Sequence, residues 1–374
     1  MRILFLSRSL ERGGAERQLV AIAKGLHRRG HRVVVAVFYD LGEFRRELAD
    51  TGIPTVSLEK RGRWDVVRFF LRFARILRKF NPQMVYSFLG PSNIVSVLTK
   101  PFFREVKSVW TVRASNMDLS RYDSIAALSY RLECFLSRFS DLVISNSICG
   151  SRHAVANGFP EDRLVVIPNG IDTDTFRPDS GKRIQMRSRW MISDGELLVG
   201  LIGRIDPMKG HQVFLKAASL LAEKYARIKF VCVGRGASRE MERLRNLVTS
   251  LNLNEKVLWE GESSDMTLVY NGLDIMVSAS VYGEGFSNAV GEAMSCGVPC
   301  VVTDVGDSAV IVGNVGMVVS PDDPKALAEG IETMVHQHSE LDAGSIRQRI
   351  VGHFSLEKLV ETTEKVLSSI ETKK

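Results

Sequence analysis

With 374 residues, 45% hydrophobic and 25% charged, the chain has the composition of an ordinary globular protein, long enough for two or three domains with ample core. No stretch reaches the ~18 apolar residues of a bilayer-spanning helix, and the apolar run at 3–6 is too short for a secretory signal core. The net charge of +7 is uneven: residues 1–178 hold 28 Lys and Arg against 17 Asp and Glu, residues 179–374 hold 22 against 26, so an anionic surface or polymer would meet the first half only.

Residues 2–7 read as a first buried strand and 33–38 as a second, with Gly13, Gly14 and an amphipathic helix over 15–27 between them. Strand, glycine turn and helix make a Rossmann-type opening, although Gly13-Gly14-Ala15-Glu16 lacks the G-x-G-x-x-G spacing of a dinucleotide site. Glycine at 13 and 14 lets the backbone approach a ligand, with a helix N-terminus behind it. A long amphipathic helix is expected over 64–80. Arg68, Arg72, Arg75 and Lys79 fall on it at i, i+4, i+7 and i+11, one cationic stripe, with Val66, Phe69, Phe70, Phe73, Ile76, Leu77 and Phe80 filling the remainder. Such a helix packs on the core with a solvated basic back, or rests that back on anionic lipid; the two are compatible.

Strands are expected at 85–89 and 108–112, and Val112-Arg113-Ala114-Ser115-Asn116 follows at a strand's carboxyl end. Further strands at 141–145 and 164–168 lead into turn residues over 168–178. Five scattered cysteines (Cys134, Cys149, Cys232, Cys296, Cys300) lie in apolar or small-residue contexts with no histidine cluster beside them. They read as buried thiols of a reducing cytoplasm, with no metal site.

The second half opens with a buried strand at 197–202, then Gly203-Arg204-Ile205-Asp206-Pro207-Met208-Lys209-Gly210 and a helix over 211–225. Arg204 offers a planar fork suited to phosphate oxygens and Lys209 a mobile point charge. Strands at 229–233 and 257–260 follow. The stretch that organises the chain is GEGFSNAVGEAMSCGVP (283–299), set between apolar runs at 274–280 and 300–303. Residues 288–296 favour helix, with Ser287 as N-cap, Gly297 just past the end and Pro299 as a stop, which makes a strand–loop–helix–strand crossover.

The loop 281–287 then lies at the carboxyl edge of a parallel sheet, where ligands bind. The amides of Phe286, Ser287 and Asn288 point at an anion. Glu284 in the loop and Glu292 in the helix reach hydroxyl groups beside it. Amides for phosphate with carboxylates for hydroxyls describe a nucleotide-sugar site. Helices over 324–336 and 356–370 complete the chain.

These motifs (E-x7-E with G-F-S-N-A and E-A-M-x-x-G-x-P, and the upstream G-R-x-x-x-x-K-G) resemble the signature of the retaining glycosyltransferases of family four. That resemblance covers nearly the whole chain. It implies an α/β, GT-B fold: an acceptor-side Rossmann-like domain over 1–178, a donor domain over 179–355 facing it across a cleft, and a last helix, 356–374, crossing back to the first domain. It further implies that Gly13 and Gly14, with Gly203, Gly285, Phe286, Ser287, Asn288 and Glu292, bind the donor. Glu284, Arg204 and Lys209 would carry the chemistry, and Arg235 and Gly261 would sit near the nucleobase.

Many relatives have a histidine where this chain has Arg113 and Asn116, which are assigned to sugar hydroxyls or phosphate instead. Asp172-Thr173-Asp174 matches the metal triplet of another glycosyltransferase fold but lies in a turn, which makes it structural. The reaction implied is sugar transfer from a nucleotide diphosphate sugar, UDP- or GDP-linked, with retention by front-face attack and neither metal nor cofactor. The acceptor is a glycan or lipid-linked molecule, and the protein is cytoplasmic and peripheral on an anionic membrane surface. A nucleotide-sugar epimerase of the same fold and a non-catalytic partner subunit are the alternatives. RNP-type aromatics and helix-turn-helix signals of nucleic-acid binders are missing from the sequence.

Overall fold

The computed structural model describes residues 1–11, 13–62, 65–113, 124–337 and 342–371. Two compact units result, Met1–Gly170 with Leu356–Lys374, and Ile171–Ser355.

In the first unit, β1 (Arg2–Ser7), β2 (Arg32–Val37), β3 (Thr55–Ser57), β4 (Met84–Ser87), β5 (Lys107–Val112), β6 (Leu142–Ser145) and β7 (Leu164–Val166) form one sheet in the order β3-β2-β1-β4-β5-β6-β7. All pairings are parallel, with Ile3 opposite Val33 on one side of β1 and opposite Met84 on the other. Near-continuous apolar runs such as RILFLS and RVVVAV suit strands buried on both faces. Ile3 and Phe5 pack with Leu19, Ile22 and Leu26 of helix Gly14–Arg28 and with Leu359 and Leu367 of the last helix, Leu356–Glu371. Leu4 and Leu6 face Phe69, Phe73 and Leu77 of helix Val66–Phe80.

The last helix and helix Gly14–Arg28 lie so close that a Cβ on Gly25 would be 2.2 Å from Val360. Glu364 ties the two further, accepting from Arg29 at 2.6 Å and meeting His31 at 2.7 Å.

In the second unit, β8 (Leu197–Ile202), β9 (Ile228–Val233), β10 (Val257–Glu260), β11 (Ile275–Ser278), β12 (Cys300–Thr303) and β13 (Met317–Val319) are again all parallel, in the order β10-β9-β8-β11-β12-β13. Both sheets therefore reverse direction once, between β1 and β4 and between β8 and β11. These are the switch points outside which ligands bind in open α/β sheets. The expected α/β architecture of two Rossmann-like parallel sheets is what the chain adopts.

The turn-rich stretch after Gly170 belongs to the second unit. Ile171 donates to Phe354 O at 2.7 Å, and Arg347 bridges Thr173 O at 2.7 Å and Phe176 O at 2.8 Å. Asp172 serves the turn itself, accepting from the backbone N–H groups of Asp174 and Thr175.

Two expectations change. The helix expected from 64 starts at Val66, and Trp64 lies outside the described residues. Arg72 leaves the cationic stripe: it donates to Leu58 O and Glu59 O and pairs with the Glu59 carboxylate at 3.0 Å, so Arg68, Arg75 and Lys79 remain exposed. Among the described residues no helix is long and apolar enough to cross a membrane.

Candidate functional site

The carboxyl edge of the second sheet is built by loops laid against one another. Gly234 has φ +147°, and a Cβ there would stand 2.0 Å from Gly203 O, so the turns after β8 and β9 touch backbone to backbone. Ile205 N–H then donates to Arg235 O at 2.7 Å. The Asp206 carboxylate accepts from Met208 N–H at 2.9 Å and starts the single turn Pro207–Lys209. Gly210 ends that turn at φ +68°, and its missing Cβ would fall 1.8 Å from Ala279 O. Only glycine fits there. Val281 N–H donates to Met208 O at 2.8 Å, which joins the turn to the loop after β11.

This stitching brings together side chains 75 positions apart. Lys209 Nζ stands 2.5 Å from Glu284 Oε2, and Ser280 donates to the same oxygen at 2.9 Å. Glu284 is only 8% exposed. Burial works to raise its pKa, but the charge and hydrogen bond of Lys209, the Ser280 hydroxyl and the charge of Arg204 together hold it below the usual carboxylate range. The Glu284 carboxylate is therefore ionised. Arg204 reaches outward, 76% exposed, with Asp206 3.4 Å away.

The loop carrying Glu284 is held from above. Gly306, at φ +65°, would place a Cβ 2.3 Å from Glu284 O, and Asp307 N–H donates to Gly285 O at 2.9 Å. Phe286 is buried edge-on against Phe354, ring centroids 5.4 Å apart. Helix Asn288–Ser295 starts after Ser287, which is its N-cap in extended conformation as expected, although the hydroxyl makes no capping hydrogen bond. Gly297 ends the helix at φ +79°, as its position predicted. Glu292 is buried one turn into that helix and accepts from the Tyr270 hydroxyl at 2.8 Å.

Arg235 projects from the turn after β9, 81% exposed and 3.4 Å from Glu262. Gly261 has open space where a Cβ would be. Its neighbour Glu260 is engaged by Arg189 at 2.6 Å and Trp190 at 3.0 Å.

Sequence reasoning missed two features. Ser280 looks like an ordinary end of a strand, and nothing in the spacing marks it as a partner of Glu284. His211, the first residue of helix His211–Lys224, is 2% exposed with both ring nitrogens unpartnered among the described residues. Burial, assisted by the Lys209 charge, lowers its pKa to about 4, so the ring is neutral.

At the carboxyl edge of the first sheet Gly42, at φ +117°, would place a Cβ 2.1 Å from Leu10 O, so the loops after β1 and β2 also touch backbone to backbone. Gly13 precedes helix Gly14–Arg28 with φ −153°, extended backbone open to any residue; a Cβ there would meet only the mobile Glu16 carboxylate. Arg113, just past β5, donates to Asn169 Oδ1 at 2.6 Å and lies over the Phe88 ring at 4.8 Å, with Nε buried and without a partner among the described residues. Burial lowers its pKa against the opposing pull of Tyr86 and Glu16. Glu16 in turn is raised, chiefly by burial. Asn116 lies outside the described residues.

Residues 12–175 match glycosyltransferase family 4, and residues 196–337 match glycosyl transferases group 1. An uncharacterized glycosyltransferase of Methanocaldococcus jannaschii is 25% identical over 346 residues, covering 86% of this chain and 85% of that one. The lipopolysaccharide core biosynthesis mannosyltransferase LpsB of Rhizobium meliloti is 28% identical over 245 residues, 63% of this chain and 68% of its own. Among solved structures, Anabaena HepE in complex with UDP-glucose superposes with a TM-score of 0.86 at 23% identity, covering 99% of this chain and all of that one.

Proposed function

The chain belongs to glycosyltransferase family 4, and from that premise we propose that it moves a sugar from a nucleoside diphosphate sugar to a glycan or lipid-linked acceptor, with retention at the anomeric carbon. The observation that carries this reading is the Lys209–Glu284 pair at the carboxyl edge of the second sheet, with Arg204 exposed beside it. Lys209, held on Glu284, and Arg204, exposed beside it, meet the negative charge that builds on a departing diphosphate. Lys209 arrives already oriented by Glu284.

The ionised Glu284 accepts hydroxyls of the donor sugar, and the Tyr270-bound Glu292 those of the ribose. The acceptor oxygen attacks the anomeric carbon from the face the diphosphate leaves, and its proton passes to a leaving phosphate oxygen. UDP-sugars stand first among donors because the Anabaena relative was solved with UDP and with UDP-glucose. The cations stand in for a metal. The first unit, rich in Lys and Arg, meets the acceptor at the cytoplasmic face of an anionic membrane.

The test is mass spectrometry of products from a panel of UDP-, GDP- and ADP-sugars, with and without EDTA. One donor is expected to be consumed with or without chelator, and Arg204→Ala to slow turnover about a hundredfold, as for one lost transition-state donor. An epimerised free nucleotide sugar, or activity abolished by EDTA and restored by magnesium or manganese, would overturn the respective part.

A further inference from the structure

Helix Ser124–Leu136 and the turn Ser137–Phe139 after it carry apolar side chains on two sides. One side is ordinary core: Cys134 and Leu136 pack against Val97, Trp110, Val143 and Phe159. The other is in solvent. Ile125 is 53% exposed, Leu128 66%, Leu132 44%, Phe135 53% and Phe139 48%. Their spacing of three, four, three and four residues puts all five within an arc of roughly 80° at about 100° per residue.

An exposed apolar row of this length is unusual. Single exposed leucines need no explanation, but a contiguous patch of several hundred Å² marks an interaction site. Phe102, two residues from Lys100, is itself 81% exposed, and Lys100 Nζ donates to Phe139 O at 2.9 Å.

The charges beside the row identify its occupant. Arg131 and Arg138 flank it on one side, both exposed, and the Arg138 guanidinium lies 4.4 Å over the Phe135 ring. Arg163 donates to Arg138 O at 2.9 Å, which adds a third cation at the Phe139 end. Among the described residues, Asp141 pairs with Lys100 at 2.7 Å and Asp162 with Arg163 at 3.7 Å, Glu133 turns inward to accept from Asn93 at 2.7 Å, and Glu161 is exposed. A second copy of this chain would set arginine against arginine across the row. An apolar strip with a cationic margin matches acyl chains below anionic headgroups.

We propose that the row from Ile125 to Phe139 inserts into the headgroup–acyl boundary of an anionic bilayer and is the principal lipid contact of the first unit. The cations of helix Val66–Phe80 then assist from the same unit, and their part, unlike that of the apolar row, is screened by salt. This deepens the membrane part of the proposed function and does not depend on the transfer chemistry.

The experiment is sedimentation of the full chain with phosphatidylglycerol-containing and neutral vesicles, at low and at high salt. It compares Leu128→Gln/Leu132→Gln/Phe135→Gln with Arg68→Gln/Arg75→Gln/Lys79→Gln. All six positions are exposed or largely so, and a thermal melt checks that both variants fold. The apolar variant is expected to lose vesicle binding at least tenfold at both salt concentrations, and the charge variant to lose only the salt-sensitive share. Undiminished binding by the apolar variant would overturn the row as the contact while leaving the membrane reading intact. No binding by the unaltered protein would overturn both. A dimer that the apolar substitutions dissolve, seen by light scattering, would replace the bilayer with a second copy.

Discussion

The two carboxyl edges of this protein look alike in sequence and differ at the turn that opens the first helix of each. Each follows a first parallel strand with a glycine-bearing turn and a helix, Gly13–Gly14 after β1 and Gly203–Gly210 after β8. At the second edge three glycines stand at positive φ with backbone oxygen where a Cβ would go: Gly210 against Ala279, Gly234 against Gly203 and Gly306 against Glu284. At the first edge Gly42, at φ +117°, does the same against Leu10, but Gly13 is extended and faces a flexible carboxylate. The helix-opening turn of the second edge is thus fixed by the backbone it meets before any ligand arrives. At the first, Gly13 leaves the backbone unconstrained, so any need for glycine there comes from what binds.

The most direct way to break that comparison is one methyl group on each side. Gly210→Ala forces a left-handed alanine into a carbonyl oxygen 1.8 Å away, so the loop must move. A loss of about 4 kcal/mol is expected, at the upper end for a single substitution. Gly13→Ala should cost no more than about 0.5 kcal/mol, because its conformation is open to alanine and Glu16 can swing aside. Urea denaturation of the two variants decides it; equal losses would erase the distinction.

Lys209→Met comes next. It leaves Glu284, buried and already held ionised, without its counter-charge. Removing one partner of such a pair costs about 3 kcal/mol at neutral pH. The sign with pH is informative. Without Lys209, burial dominates and raises the Glu284 pKa, so the variant's deficit should shrink as pH falls and the carboxyl takes up a proton. A deficit independent of pH would mean that the lysine stem, not its charge, is what the loop needs.

The legible parts of the sequence were those where a single physical demand fixes the residue type. Buried parallel strands require unbroken apolar runs, so β1, β8 and β12 were read to the residue. The three-residue β3, half-buried at a sheet edge, carries no such pattern and was missed. Helix Ser124–Leu136 was missed for the opposite reason: apolar on two sides, it shows no clean amphipathic period. At the site, the motif brought Arg204, Lys209 and Glu284 into one reading, and the structure places Lys209 on Glu284. It could not show that Ser280 shares that carboxylate. Arg72 was assigned to a stripe on spacing alone, and spacing says nothing of Glu59, which claims it.

His211 offers a pH test of how tightly the second edge is closed. Its pKa is near 4 in the folded protein against about 6.5 for free histidine, so the unfolded chain binds more protons between those values. Its contribution to stability is whole above pH ~6.5 and is lost as pH falls toward 4, by about 3 kcal/mol at ~1.4 kcal/mol per unit. His211→Leu should flatten that part of the stability–pH curve and, by removing two unpartnered nitrogens, should not destabilise at pH 7. An unchanged curve would mean that the ring is hydrated in solution.

The smallest effect is expected from repeating the methionine substitution on the first edge. Arg113 resembles Lys209 in being a cation at a strand's carboxyl end, but its contacts are of another kind. It lies over the Phe88 ring, donates to the neutral Asn169 and keeps Nε without a partner among the described residues, with Glu16 acting only through space and itself raised toward neutrality by burial. Arg113→Met therefore orphans no buried carboxylate and releases a desolvated charge, two effects that oppose each other. The net change in stability should stay within about 1 kcal/mol. Turnover should fall all the same, because a desolvated cation at a sheet's carboxyl edge marks a functional site. Denaturation and donor consumption measured on the one variant separate these roles. A loss of stability matching that of Lys209→Met would make the first edge as self-contained as the second.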